Sequence, residues 1–250
     1  GPIDGAFYTT SVDYSLSARG LDVEFARTYD SQNHDSMNDS LYKWRWPLGY
    51  GWTHSYNIYL KPRNGAEEGD KDTLILYEGD GNRILFFQHD VTTWRADLGG
   101  HAVLKKEGDR WRLSRTEGTI YHFNSDDRAD TIYDRNGNRI TLTYDDYDNL
   151  SEITDCVGRE VQLNYQGHLL RRLHEPPGPS SGKSYEYRYC VIEGGEPTPW
   201  YKYGLTQVLR HAPSSALDSL IVLSRYYYDS TYVLRTRCTP GGSYTMSDTS

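Results

Sequence analysis

Two consecutive stretches of the chain, Ile132–Tyr144 (IYDRNGNRITLTY) and Ile153–Tyr165 (ITDCVGREVQLNY), match at an offset of 21 residues. Ile, Asp, Gly, Leu and Tyr coincide when one stretch is laid over the other. The unit before them fits the same offset, so positions 123, 144 and 165 form a column of aromatic residues. Each unit contains two strand-like runs and two turn segments. One hairpin cannot bury its apolar face alone, so stacked units predict a continuous antiparallel sheet.

The same two stretches predict which side chains face inward. Ile140 and Leu142 lie on the same face of a strand as Tyr144, because side chains alternate along a strand. We therefore expect the aromatic column to lie on one face of one sheet, towards the core or inner wall. Asn-Gly at 136–137 is the strongest short hairpin signal. Gly137 and Gly158 are expected in turns, with positive φ at Gly137.

The composition is typical of a sheet-rich protein with short connections. Tyr occurs 23 times and Phe only 5 times, and there are 23 glycines. Tyr favours strands and Gly favours turns. The formal net charge of −8 argues against nucleic-acid binding, and the longest purely apolar run, Leu220–Leu223, is too short to cross a bilayer. Three cysteines, Cys156, Cys190 and Cys238, are too few and odd in number for a disulfide framework.

The usual signatures of catalysis and cofactor binding are weak in this sequence. Gly178–Ser184 resembles a phosphate-binding loop, but its first glycine is misplaced and a strand rather than a helix is expected after it. The acidic turns at 126–127 and 145–148 could hold Ca²⁺, yet solvated turn carboxylates are the simpler interpretation. The eight histidines are scattered singly. We therefore expect no enzymatic activity, no metal and no cofactor.

One cluster of aromatic residues has binding potential. It comprises Trp44, Trp46, Tyr50, Trp52 and Tyr56. Flat rings can stack on sugars or on the apolar surface of a partner. Alternatively, they cover the open end of the sheet and form core, which we favour because exposed clustered Trp is costly. Exposure separates the two interpretations, because the Trp rings would be buried in a wall and displayed in a binding module.

These motifs resemble those of Rhs proteins with YD repeats. The resemblance rests on the 21-residue period, on Tyr-Asp at 144–145 and 228–229, and on turn glycines at 137 and 158. Leu16–Ser31 (LSARGLDVEFARTYDS) and Leu48–Tyr56 (LGYGWTHSY) are similar to the domain that precedes the repeats in many bacterial members. In that family the repeats spiral into a hollow β-shell around a C-terminal toxin domain, and teneurins use a related shell. No Asp-Pro occurs, so the family's autoproteolysis motif is absent.

Together these observations predict an all-β protein with two regions. Residues 3–105 are expected to form an N-terminal β-domain, and residues 106–250 an open twisted sheet of YD-type repeats. The resemblance implies a structural, encapsulating segment of a secreted protein, whose partners are the rest of the shell and its cargo domain. The alternative is a module that binds carbohydrate or a cell-surface partner. Gly1-Pro2 is typical of tag cleavage, so we expect a piece of a longer chain that associates with itself through an open sheet edge.

Overall fold

The described part of the chain consists of β-strands joined by turns and loops. The computed structural model describes residues 7–31, 46–63, 73–97, 102–176, 182–191, 203–211, 220–228, 234–239 and 242–245. None of these residues is helical, and no helix that could span a membrane occurs among them. The strands are, in chain order, β1 (Tyr8–Leu16), β2 (Val23–Asp30), β3 (Trp52–His54), β4 (Tyr59–Pro62), β5 (Thr73–Tyr77), β6 (Arg83–Asp90), β7 (Thr93–Ala96), β8 (Ala102–Glu107), β9 (Arg110–Arg115), β10 (Ile120–Phe123), β11 (Ala129–Tyr133), β12 (Arg139–Tyr144), β13 (Leu150–Thr154), β14 (Glu160–Gln166), β15 (Leu169–His174), β16 (Ser184–Val191), β17 (Tyr203–His211), β18 (Leu220–Tyr228), β19 (Leu234–Thr239) and β20 (Gly242–Thr245).

These strands form two antiparallel sheets. The small sheet contains β1, β2 and β3 in that order, and in the long sheet each strand from β4 to β20 pairs with the next one in the chain. β4 also lies beside the turn between β10 and β11, where Tyr59 forms an isolated bridge with Arg128. The long sheet therefore curls back on itself over its first strands and stays open. The predicted all-β class and open antiparallel sheet are confirmed.

The predicted boundary between the two regions falls inside a strand of the long sheet. Residue 105 lies in β8, which pairs with β7 on one side and β9 on the other. The small sheet ends much earlier, at His54. As a division into two folding units, the boundary stays a prediction.

A single kind of turn closes successive hairpins of the repeats. Asp134 Oδ1 accepts the backbone N–H of Asn136 at 2.8 Å and of Asn138 at 2.9 Å, and its Oδ2 accepts the Asn138 side-chain amide at 2.7 Å. Asp145 and Asp155 make the corresponding bonds in the next two turns. The Asp side chain thus bonds N–H groups that the ladder leaves free, which is why short polar residues favour such turns.

The fourth residue of this turn has a left-handed backbone. Gly137 and Gly158 both have φ of +84°, which confirms their placement in turns and the positive φ predicted at Gly137. Asp127 and Asp148 take the equivalent place in two other turns, with φ of +59° and +63°. Asp tolerates this region better than most residues with a Cβ, and β-branched residues tolerate it worst.

A β-bulge recurs at the aromatic column. The register shifts beside Phe123, Tyr144, Tyr165, Tyr189 and Tyr228. Each of these aromatic residues pairs with an apolar residue of the following strand, and one extra residue is accommodated next to it. The partners are, in order, Ala129, Leu150, Leu170, Leu205 and Leu234. A bulge bends a strand and increases its twist, so a bulge at the same place in each unit gives the long sheet a regular curvature.

Tyrosine hydroxyls in this column bond to the backbone of the preceding unit. Tyr144 donates to the carbonyl of Ala129 at 2.6 Å, and Tyr189 donates to the carbonyl of Leu170 at 2.5 Å. Tyr228 makes the same kind of bond, at 2.7 Å, one unit further along. We call this arrangement of bulge, aromatic residue and bonded carbonyl the tyrosine rung.

The pattern of backbone hydrogen bonds between strands explains why a hydroxyl is needed at the tyrosine rung. The pairing between β11 and β12 runs from Tyr133 to Thr131 and stops short of Ala129. The carbonyl of Ala129 therefore faces the place where β12 has separated from β11. An unpaired buried carbonyl is costly, and the Tyr144 hydroxyl takes the place of the missing strand neighbour.

The predicted aromatic column is confirmed. Phe123 is fully buried, and Tyr144 and Tyr165 pack against the same hydrophobic core. In β12, Ile140 and Leu142 are buried beside this column, as their alternation predicts.

The replacement Gly137→Val is expected to lower the free energy of unfolding by about 1–3 kcal/mol, because a β-branched residue is strained at positive φ. A Cβ at position 137 would meet no atom within 4 Å, so the loss comes from the backbone and not from a clash. Gly137→Asn is the matched control and should lose clearly less, because Asn adopts this conformation more readily. Urea unfolding measures both. An unchanged midpoint for Gly137→Val, or equal losses in the two variants, would contradict the turn assignment.

The replacement Tyr144→Phe is expected to lower the free energy of unfolding by about 1–2 kcal/mol, because it leaves a buried carbonyl without its donor. Tyr165→Phe is the matched control in the neighbouring unit. The Tyr165 hydroxyl is buried and has no hydrogen-bond partner among the residues that the structure describes. Its removal should be neutral or stabilising, since it relieves an unsatisfied polar group. Urea unfolding of both variants checks this, and a loss at 165 as large as at 144 would refute the role of the hydroxyl.

Candidate functional site

The aromatic residues singled out from the sequence are mostly buried. Trp46, Trp52 and Tyr56 expose 4%, 0% and 5% of their surface. Tyr50 is half-buried and its ring stacks on Trp46 at a centroid distance of 6.2 Å, while Trp44 lies outside the described residues. By the exposure criterion, the burial of Trp46 and Trp52 favours a wall over a displayed binding surface. Ligand binding by this cluster stays a prediction.

Trp52 joins the small sheet to the long sheet. It lies in β3, and its Nε1–H donates to the Tyr228 hydroxyl at 2.9 Å. Its ring meets that of Tyr226 edge-on at 4.7 Å and packs against Tyr29 of β2 at 5.3 Å. The Tyr29 hydroxyl in turn accepts the backbone N–H of Leu234 at 3.1 Å. Strands β2 and β3 are therefore docked on β18 and β19.

A buried ion pair lies in the same junction. Arg27 donates from Nη2 to Asp13 Oδ1 at 2.7 Å and from Nε to Oδ2 at 2.5 Å, and both side chains are almost fully buried. Arg27 Nη1 also donates to the Tyr226 hydroxyl, and the Tyr187 hydroxyl donates to Asp13 Oδ2 at 2.9 Å. Two charged residues of the small sheet are thus bonded to two tyrosines of the long sheet. We call these four residues the junction clamp.

Arg27 and Tyr187 each keep one protonation state in the clamp. Burial by itself lowers the pKa of the Arg27 guanidinium, but the Asp13 carboxylate outweighs this effect and the pKa is raised. Burial raises the pKa of the Tyr187 phenol, and the neighbouring Asp13 raises it further. Arg27 is therefore charged and Tyr187 neutral around neutral pH, which suits a fixed contact and not proton transfer.

His54 is a neutral core histidine. Burial, with a smaller contribution from Arg128, lowers the pKa of His54 to about 3. Its ring stacks on Phe25 at 4.8 Å, and its Nδ1 accepts the backbone N–H of Tyr56 at 3.2 Å. An imidazole with this pKa is neutral near neutral pH and does not change its protonation state there.

The acidic turns use their oxygens within the protein. Asp145 Oδ1 accepts the backbone N–H of Tyr147 and of Asn149, both at 2.9 Å. Asp127 Oδ1 accepts the Trp111 indole N–H at 2.9 Å. Within the ranges that the structure describes, no group of three or more His, Cys, Asp or Glu side chains is arranged to hold a metal ion.

The remaining motifs from the sequence are only partly described. Gly178–Ser184 lies mostly outside the described residues, and Ser184 begins strand β16, whereas a phosphate-binding loop would begin a helix. Cys156 and Cys190 are free thiols. The side chain of Cys238 lies outside the described part of the chain.

Sequence reasoning missed the junction clamp. Asp13, Tyr187 and Tyr226 carry no motif that links them, and the pair formed by Arg27 and Tyr226 is separated by 199 residues in sequence. The available signal was Arg27 in the middle of β2, where five consecutive residues are buried, whereas the other charged residues of this strand, Glu24 and Asp30, are less buried. A charge in such a strand requires a buried counter-charge.

A family model of known proteins matches part of the chain. Residues 2–86 match a family model described as a domain of unknown function, DUF6531. This match falls on the region whose motifs resemble the domain before the Rhs repeats, and membership of the Rhs family stays a prediction. No curated protein matches the chain.

Two solved toxin-related structures are similar to the chain. A Tc holotoxin pore of Photorhabdus luminescens is 15% identical with a TM-score of 0.47, and the match covers 95% of this chain and 15% of that chain. The N-terminal domain of the effector protein SpvB from Salmonella typhimurium strain LT2 is 14% identical with a TM-score of 0.40, covering 95% of this chain and 100% of that chain. The chain thus spans 15% of the length of the first, and at these scores the similarity does not establish a shared fold.

The replacement Arg27→Met is expected to lower the free energy of unfolding by about 3–5 kcal/mol, because the Asp13 carboxylate stays buried without its counter-charge. The double variant Arg27→Met/Asp13→Leu should recover much of this loss, since it removes both charges. Arg188→Met breaks an exposed ion pair with Glu186 and should lose about 1 kcal/mol or less. Urea unfolding of the three variants tests the clamp, and a double variant less stable than Arg27→Met would contradict it.

Proposed function

We propose that the chain is a non-enzymatic wall segment of a large secreted β-shell of the Rhs type, which encloses a cargo domain. The tyrosine rung is the observation that carries this proposal. In three units the tyrosine hydroxyl bonds a carbonyl of the unit before it, at Tyr144, Tyr189 and Tyr228. A further unit can therefore be added with the same strand pairing and the same hydrogen bond, as an extended wall requires.

The two faces of the repeat strands suit an inside and an outside. In β14 the side chains alternate: Val161 and Leu163 are buried, whereas Gln162 and Asn164 are exposed. This alternation continues through several strands, so one surface of the sheet is apolar and the other polar. A wall with these faces can enclose a folded cargo and remain soluble outside.

The small sheet contributes by covering part of the inner surface. The junction clamp and Trp52 fasten it to β16 and β18 of the wall. Without this cover, the apolar face at that end of the sheet would meet water, and large exposed apolar patches promote association. The aromatic cluster then serves packing, in line with the interpretation we favoured from the sequence.

The partners and location follow from the resemblance to Rhs proteins. The wall would continue in the rest of the parent chain, and its inner surface would face a C-terminal cargo domain. Export is required for the cargo to act outside the producing cell, which makes the segment part of a secreted protein.

A wall that continues beyond the last described strand predicts self-association of the isolated chain. The outer edge of β20 would present unpaired N–H and C=O groups, which recruit another strand. Sedimentation velocity over a range of concentrations should show dimers or larger species, with little effect of salt because the contact is backbone and apolar. A strictly monomeric protein at high concentration would contradict a continuing sheet.

Two proline variants locate the contact. Residues 243 and 244 are consecutive in β20, and successive backbone N–H groups of a strand point to opposite edges. Of Ser243→Pro and Tyr244→Pro, one therefore removes a donor to β19 and the other a donor to the free edge. The variant that removes the donor to the free edge is expected to abolish association with little loss of stability. Association that survives both replacements would place the contact elsewhere.

A further inference from the structure

A cavity of about 350 Å³ opens on the long sheet at β14, β15 and β16. It is lined by Asn164, Arg171, Arg172, His174, Glu186 and Tyr187. These residues combine two arginines and a histidine with one carboxylate, in a protein whose formal net charge is −8. The wall function assigns no role to this concentration of positive charge.

The cavity lies beside a bulge in β15. Asn164 pairs with Arg172, whereas the next residue, Tyr165, pairs with Leu170, so Arg171 is the extra residue of this bulge. The ladder between β15 and β16 covers only His174 to Arg172 on the β15 side. Beyond Arg172 the two strands no longer pair, and Arg171 and Arg172 both line the cavity at this end of the ladder.

Arg171 has donor capacity that the protein does not use. Its Nε is buried and has no hydrogen-bond partner within the described part of the chain. Its guanidinium lies over the ring of Tyr189 at 5.1 Å from the centroid, which holds the group in place without using its N–H donors. A buried unpaired donor is costly unless a ligand or water accepts from it.

The single carboxylate in the lining, that of Glu186, is already paired with residues outside the lining. Glu186 Oε1 accepts from Arg188 Nε at 2.6 Å, and Glu186 Oε2 lies 2.8 Å from His211 Nε2. Arg188 and His211 are not part of the lining. Arg172 is 3.6 Å from the same carboxylate, longer than a good charge-assisted hydrogen bond. With two guanidinium groups and one carboxylate, the lining therefore keeps a net positive charge although Arg172 forms a long ion pair with Glu186.

We propose that this cavity binds a tetrahedral oxyanion, either phosphate or sulfate, with Arg171 and Arg172 as charged donors and Asn164 as a neutral one. The planar guanidinium fork matches two oxygens of such a group. Positive charge in the cavity also acts on His174, since burial and the Arg172 guanidinium lower the pKa of this imidazole. The oxyanion is either free or carried by a sugar.

Titration with inorganic phosphate and inorganic sulfate at constant ionic strength tests the site. We expect saturable binding by calorimetry, together with shifts of the His174 ring resonances in the NMR spectrum. Arg172→Gln should weaken binding about tenfold, the loss expected for one charge-assisted hydrogen bond. Arg110→Gln is the matched control: its side chain is 50% exposed against 44% for Arg172, and it pairs with Asp130 outside the cavity lining. This control should change the affinity by less than about twofold, because surface pairs contribute little.

Titration with glucose 6-phosphate and glucose 6-sulfate tests whether the bound oxyanion is free or carried by a sugar. Tighter binding of the sugar esters than of the free anions assigns the site to a glycan-borne group, and equal affinities assign it to the free anion. The absence of saturable binding for all four probes would overturn the proposal. Equal losses in Arg172→Gln and Arg110→Gln, or unchanged His174 resonances at saturation, would overturn it as well.

Discussion

The carbonyl beside each bulge is the group on which the curvature of this protein depends. A wall must bend, and bulges bend it, but the strands then separate and a buried carbonyl loses its strand neighbour. Tyrosine solves both problems, because its ring fills the core and its hydroxyl reaches that carbonyl. This requirement accounts for part of the excess of 23 Tyr over 5 Phe. Phe123 shows that the ring alone suffices for packing, since it occupies the first position of the column and is fully buried.

The bulge that separates the strands also adds one residue whose chemistry can vary. At Tyr144 and Tyr189 the space is filled and the backbone is satisfied. Beside the Tyr189 rung, the residue that the bulge adds is Arg171, which lines the charged cavity. A repeat can thus keep one backbone geometry and vary its chemistry through the one residue that the bulge adds. The side chain added by the bulge therefore has more freedom to change than the tyrosine beside it.

The repeats could be predicted from the sequence because their information is local. The Asp that begins each turn, the residue with positive φ and the tyrosine of the rung lie within one unit, so a 21-residue offset reveals them together. The cost of exposed Trp favours burial of Trp46 and Trp52, but the partners of Trp52 could not be predicted, because Tyr228 lies 176 residues away. Arg27 is charged, and charged residues are usually exposed. Its burial follows only from the docking of two sheets, which no local pattern records.

The docking of the small sheet also sets an order of assembly. The ladders of the long sheet join strands that follow one another, so they close short loops and form readily. Arg27 and Tyr226, in contrast, are 199 residues apart. During synthesis, β1 to β3 leave the ribosome first, yet the strands that cover their buried charges and rings leave it last. Translation that stops before β18 therefore releases a chain whose Arg27 and Trp52 are still exposed to water, a form that chaperones and proteases can distinguish from the finished protein.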